Sequence, residues 1–203
     1  MVHIGEPDFY RRVYDDAFSQ DVVLVEGVRS PFSPRITRVY RWIVGSKRLG
    51  LSLQPPYPKA GTVKARIVHA DLSGRAFGNA WAKVPFWMRW TIYIGGPLYG
   101  IWMRLFGTRE MIAKRQAMED LRTNEEMIMD GDPDIEALNE AMLDARDARF
   151  VEHLKAEIDA PRTPSQHVAV VCGAAHVRAI IRALSLQCGY VARDGEWMTV
   201  FTL

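Results

Sequence analysis

The sequence has few cysteines and no excess of charge of either sign. Only Cys172 and Cys188 occur in 203 residues, and they show neither the paired spacing of a zinc site nor the set of four or more that a disulfide framework needs. Cys172 lies inside an apolar run and reads as a small core side chain in a reducing compartment. With 26 Lys and Arg against 24 Asp and Glu, the formal net charge is only +2. That field gives no argument for a nucleic-acid partner. A local basic group, Arg35, Arg38, Arg41, Lys47 and Arg48, reads as a solvated helix face. Internal repeats and low-complexity segments are missing. The segment Met1 to Pro7 lacks a basic region followed by a long apolar stretch, so no secretory signal is visible and a cytoplasmic location is expected.

Nor does any uncharged run reach the ~20 residues of a spanning helix. The most apolar stretch, Val84 to Phe106, contains Arg89 and Arg104 and is interrupted by Gly95-Gly96-Pro97. Three readings of it remain: a buried helical hairpin, a hydrophobic lid or homodimer surface, and a peripheral membrane anchor using its tryptophans.

What is present suits one globular domain with an inserted subregion, at 48% hydrophobic and 25% charged residues. The run Val168 to Cys172 is continuously apolar and followed by Gly173-Ala174-Ala175-His176. It reads as a strand buried on both faces that turns tightly into a helix. His176 is thereby placed at the carboxyl end of a strand, where open α/β sheets keep their ligand crevices. A second such run, Asp21 to Glu26, ends in a carboxylate. Thr62 to Ala70 alternates and reads as a strand nearer a sheet edge, ending at His69-Ala70-Asp71.

Helices are expected from Glu6 to Phe18 with Pro7 in the first turn, over Ile36 to Val44, and over Thr108 to Asp130. After a break at Gly131-Asp132-Pro133, another is expected from Pro133 to Ile158. Residues 29–35 form a loop at a strand's carboxyl end, and the prolines of Gln54 to Pro58 cross a surface. A helix through Val177 to Leu184 stops at Gly189, and a final hairpin is expected about Asp194-Gly195.

Three polar residues stand out against this pattern. At the strand end, His176 can ligate a divalent metal as a neutral imidazole, or take a proton; alternatively it makes one hydrogen bond at a helix start. Glu26 closes an apolar strand, and a buried carboxylate needs a cation, a metal or several donors. An ion pair with Arg146 would meet that need. Arg146 lies four residues from both Met142 and Phe150, inside the apolar stripe Ile135, Leu138, Met142, Phe150 and Leu154; it either snorkels to water or serves a site. Asp71 reads as a cap for the helix beginning near Ser73, in preference to a supporting acceptor.

Taken in order, several short motifs resemble the TraB, PrgY, GumN and Tiki group, which is similar in turn to the ChaN and erythromycin-esterase-like families. They are His3-Ile4-Gly5-Glu6-Pro7, Val22 to Gly27, His69-Ala70-Asp71-Leu72, Arg146-Asp147 with Phe150, and Gly173-Ala174-Ala175-His176 with Gly189-Tyr190. The resemblance implies a mixed α/β fold in a single domain over residues 1–203. Its central, mostly parallel sheet is flanked by helices, residues 73–160 form a mainly helical insertion or lid, and a hairpin ends the chain. It also implies that His3, Glu26, Arg146 and His176 converge on one pocket at the strand ends. The first motif calls for a glycine three positions ahead of His3, a place before Met1, and a domain without that first strand is expected to expose a sheet edge or pair it differently.

The activity implied is that of a metal-dependent, peptidase-like hydrolase with a peptide or small-molecule substrate. His3, Glu26 and His176 would hold manganese, cobalt or zinc, and Arg146 would stabilise the developing oxyanion. The alternative is a ligand-binding or regulatory protein of the pheromone-shutdown kind without turnover, associated with a membrane or partner through residues 84–106.

Overall fold

A computed structural model describes residues 1–121, 132–161 and 166–203. The chain runs β1 (Ile4–Gly5), α1 (Pro7–Phe18), β2 (Val22–Val25), α2 (Ser33–Ile36), α3 (Arg38–Val44), β3 (Ser52–Leu53) and β4 (Arg66–His69). Helices follow: α4 (Gly74–Lys83), α5 (Phe86–Trp90), α6 (Gly96–Phe106), α7 (Arg109–Leu121), α8 (Pro133–Asn139) and α9 (Ala145–Asp159). Then come β5 (Val168–Val171) and α10 (Ala174–Cys188). The part of the expected Thr108 to Asp130 helix beyond Leu121 lies outside the described residues.

The fold is mixed α/β with a small parallel sheet ordered β4-β2-β5 and a separate antiparallel pair, β1 with β3. Strand β2 is central, and its four aliphatic side chains are all buried. Helices cover both of its faces, which is why its sequence does not alternate. On one side Val23 and Val25 meet Ala17 and Phe18 of α1. On the other, Val22 and Leu24 meet Phe150 and Leu154 of α9 and Ile180 of α10. Strand β4 sits at an edge, as its alternating sequence implies.

At the other edge, the backbone of Met1 lies beside the end of β5: its amine donates to Cys172 O, and its carbonyl accepts from Ala174 N at 3.0 Å. The residues before His3 thus reach the parallel sheet through Met1, while Ile4 and Gly5 pair with β3.

Two expectations change. Gly95-Gly96-Pro97 does not break the 84–106 stretch into a hairpin. A π-helical turn at Thr91–Gly95 joins α5 to α6 into one helical course, because a wider turn accommodates the proline ring and its missing N–H. The carboxyl-terminal hairpin is also not formed. Residues 189–203 contain no strand, and Val191 and Trp197 stay exposed, so a hairpin there would have no apolar face to bury. That segment instead runs beside β1 and α7, where Val200 O accepts from Glu6 N and Thr202 O from Arg109. Gly189, at φ 69°, ends α10 in the left-handed conformation expected of it. Among the described residues no helix is long and apolar enough to cross a membrane.

Candidate active site

The parallel register sets where the polar residues emerge. Val25 pairs with His69 on one side and Val171 on the other. The ladder continues one step further, with Glu26 N donating to Val171 O and Ala70 N to Val25 O. All three strands therefore end level, and Glu26, Asp71 and Gly173 come off a single rim. Arg146 and Asp147 reach it from the first turn of α9, and His176 from the first turn of α10.

Glu26 and Arg146 form the ion pair that the sequence suggests, with Nη2 donating to Oε1 at 2.5 Å. Both side chains are about seven-eighths buried, so Arg146 does not snorkel. Its guanidinium also grips Asp71 in bidentate fashion, through Nε to Oδ1 at 3.0 Å and Nη2 to Oδ2 at 2.6 Å, while Nη1 donates to Met142 O. Burial alone would lower the Arg146 pKa, but the Asp71 hydrogen bonds and the Glu26 and Asp71 charges raise it. With its donors so engaged, Arg146 acts here as a clamp on two carboxylates rather than as a free oxyanion donor.

Asp71 is not the helix cap. Ser73 caps α4, its Oγ accepting from Ala76 N, and Asp71 turns inward with only 2% of its side chain exposed. Besides Arg146 it accepts from Gly27 N at 3.0 Å and Leu72 N at 2.7 Å. Gly27 adopts φ 144°, a conformation that favours glycine, and its amide reaches Asp71 from there.

His176 is buried between two acids. Nδ1 donates to Asp147 Oδ1 at 2.5 Å, and Nε2 faces Glu26 Oε1 at 3.3 Å. Burial would lower the imidazole pKa, but hydrogen bonds to Asp147 and Glu26 and the Glu26 charge push it up to about 9, with Arg146 opposing. Burial would likewise raise the Glu26 pKa. His176, Arg146 and the Gly173 amide overcome it and hold Glu26 well below the usual carboxylate range. Gly173 caps α10, and its N–H donates to Glu26 Oε2, so the carboxylate also sits at a helix amino terminus. A Cβ at Gly173 would come within 3.0 Å of that oxygen.

Sequence reasoning gave Asp147 no role. The available signal was its position: on α9 the buried residues are Asp147, Phe150 and Leu154, so an acid occupies the apolar stripe at helical spacing.

Of these groups Glu26, Arg146, Gly173 and His176 line a cavity of about 250 Å³, together with Tyr40, Ile43, Tyr99 and Met103 and the polar side chains of Arg115 and Gln116. His3 lines the same cavity, its ring 4.7 Å from that of Tyr40. Three carboxylates, Glu26, Asp71 and Asp147, face two cationic side chains, Arg146 and His176, so the cluster has room for added positive charge. Glu26 Oε1 and His176 Nε2 lie 3.3 Å apart and would become neighbouring ligand atoms for a divalent ion only on loss of the Nε2 proton; Asp147 orients the ring as a supporting carboxylate does for a metal-bound histidine. Among the described residues no three His, Cys, Asp or Glu side chains are gathered to hold an ion. His3 thus shares the cavity without completing a ligand trio.

Fold and site together define a mixed α/β protein with a buried arginine, carboxylate and histidine cluster at the ends of parallel strands. The chain matches no protein-family model, no curated protein and no solved structure.

Proposed function

We propose that the chain is a metal-dependent hydrolase of the TraB and Tiki type, cleaving a peptide or amide bond in the cavity at the strand ends. The observation that supports this reading is the convergence of Glu26, Arg146 and His176, from β2, α9 and α10, on one wall of one cavity. An ion-pair network explains their contact with one another, and their opening onto a cavity is what the site reading adds. Glu26 and His176 would hold the ion, with His3 approaching from the same cavity. A bound manganese, cobalt or zinc supplies Lewis-acid activation of water at neutral pH. Asp147 fixes the His176 ring so that Nε2 faces the cavity. Arg146 holds Glu26 ionised and in place, and with Asp71 it keeps that clamp rigid. The apolar wall of Tyr40, Ile43, Tyr99 and Met103 receives a hydrophobic side chain and excludes bulk water.

One observation favours the alternative, a ligand-binding or regulatory protein without turnover: the guanidinium of Arg146 is occupied by protein acceptors. Elemental analysis of purified protein, paired with cleavage of a mixed fluorogenic peptide library, separates the two. The hydrolase reading expects stoichiometric bound metal, cleavage abolished by chelation, and loss of both in His176→Ala. Asp147→Asn is expected to weaken metal affinity roughly 10–100-fold. Protein without metal and without affinity for added manganese, cobalt or zinc would overturn it. Metal without cleavage would leave the binding reading.

A further inference from the structure

Between Glu26 and Glu110 every charged side chain except Asp71 is basic, and Asp71 is buried against Arg146. The surface built from this stretch is therefore free of carboxylates, although the whole chain is nearly neutral. The same stretch carries the largest run of exposed apolar side chains. On the course from α5 through α6, Trp90, Ile94, Leu98, Trp102 and Leu105 recur at spacings of three and four residues, and Leu98 and Leu105 are 62% and 60% exposed. One helix face thus carries an apolar stripe that no other described residue covers.

Helix α3 packs directly against α6 and supplies the charge. Gly100 lets the two approach, since a Cβ there would meet Trp42 Cβ and Val39 O at 2.8 Å. Arg38, Arg41, Lys47 and Arg48 are all exposed, and Arg48 reaches across to Leu105 O and Gly107 O at the end of α6. Trp42, partly exposed on α3, extends the stripe sideways. At the other end, Trp87 Nε1 donates to Asp134 of the acidic helix α8, so the carboxylate-free face is centred on α6 and not on α5.

We propose that the α3 and α6 face docks peripherally on an anionic phospholipid bilayer. Trp102, Leu98 and Leu105 enter the headgroup boundary, and Arg38, Arg41, Lys47, Arg48 and Arg104 meet lipid phosphates. The tryptophans suit an interface where one ring edge is apolar and the other wet, and a rim of exposed Arg and Lys suits a surface of negative potential. The inner sides of these two helices contribute Tyr40, Ile43, Tyr99 and Met103 to the cavity, so a docked bilayer lies against the outer side of the pocket wall. The inference does not depend on hydrolysis.

The test is co-sedimentation of the full chain with vesicles of phosphatidylcholine alone and of phosphatidylcholine mixed with phosphatidylglycerol. Binding is expected only to the mixed vesicles, falling as salt is raised. Arg38→Gln and Arg41→Gln should each weaken it roughly fivefold, and Leu98→Ser with Trp102→Ser should abolish it while circular dichroism stays unchanged. Wild type remaining in the supernatant at low salt overturns the proposal. So does equal binding to both vesicles, or a concentration-dependent dimer that the Leu98 and Trp102 changes dissolve.

Discussion

His176 has a different proton affinity in the folded chain from that of a free imidazole, and the sign of its effect on stability follows. Its pKa rises from 6.5 to about 9, so the folded state gains from the bound proton in full below 6.5 and loses that gain as pH climbs through 9. Glu26 behaves oppositely: lowered from 4.5, it stabilises the fold above its ordinary value and loses the effect as pH falls. Thermal denaturation of metal-free protein should therefore show stability declining between pH 6.5 and 9 by up to about 3 kcal/mol. In His176→Gln that slope should flatten. An unchanged slope would mean that the imidazole is not the titrating group. Glu26 was legible in the sequence because it directly follows an apolar run, where a lone polar group is conspicuous, and His176 because only Gly173-Ala174-Ala175 separates it from another. Asp71 was not, because Ser73 two residues later satisfies the same capping rule, and sequence cannot choose between two adjacent acceptors.

At the scale of elements, the close approach that Gly100 allows between α6 and α3 sets one wall of the cavity. Gly100→Ala inserts a methyl group between α6 and α3 at 2.8 Å from Trp42 Cβ and Val39 O. Overpacking of this kind costs about 1–3 kcal/mol, and here it should also move Tyr40 and Tyr99, which differential scanning calorimetry and ligand-free tyrosine fluorescence would register together. Strand β2 was readable because burial on both faces leaves no polar residue to confuse the period; β5 was readable as a strand from the same apolar run, but at its sheet edge only Val171 of its four residues is fully buried. Of the three readings of Val84 to Phe106, the helical hairpin fails for a physical reason. Gly95-Gly96-Pro97 signals a stop only if the turn must stay α-helical; widened by one residue, it carries proline without breaking.

For the molecule as a whole, the carboxyl-terminal segment ties together parts distant in sequence. Glu6 N donates to Val200 O, and Arg109 Nη1 bridges Glu6 Oε1 at 2.8 Å and Thr202 O at 2.8 Å. Ending the chain at residue 198 should leave Glu6 N without its acceptor, take Thr202 O from Arg109 and destabilise by about 1–3 kcal/mol, with hydrogen exchange rising first at β1 and the start of α7. Equal exchange in both forms would show that the segment is not a tie. This arrangement was invisible to sequence reading, since Asp194-Gly195 is a sound turn signal whose flanks find better partners elsewhere. The π-helical turn at Thr91–Gly95 also matters at this scale, as a phase shifter. Were the same residues wound as an ordinary α-helix, everything downstream would turn by about one residue, roughly 100°, swinging Leu98 and Trp102 toward the interior and Met103 toward water, whereas deleting one residue from the wide turn should leave both faces in place.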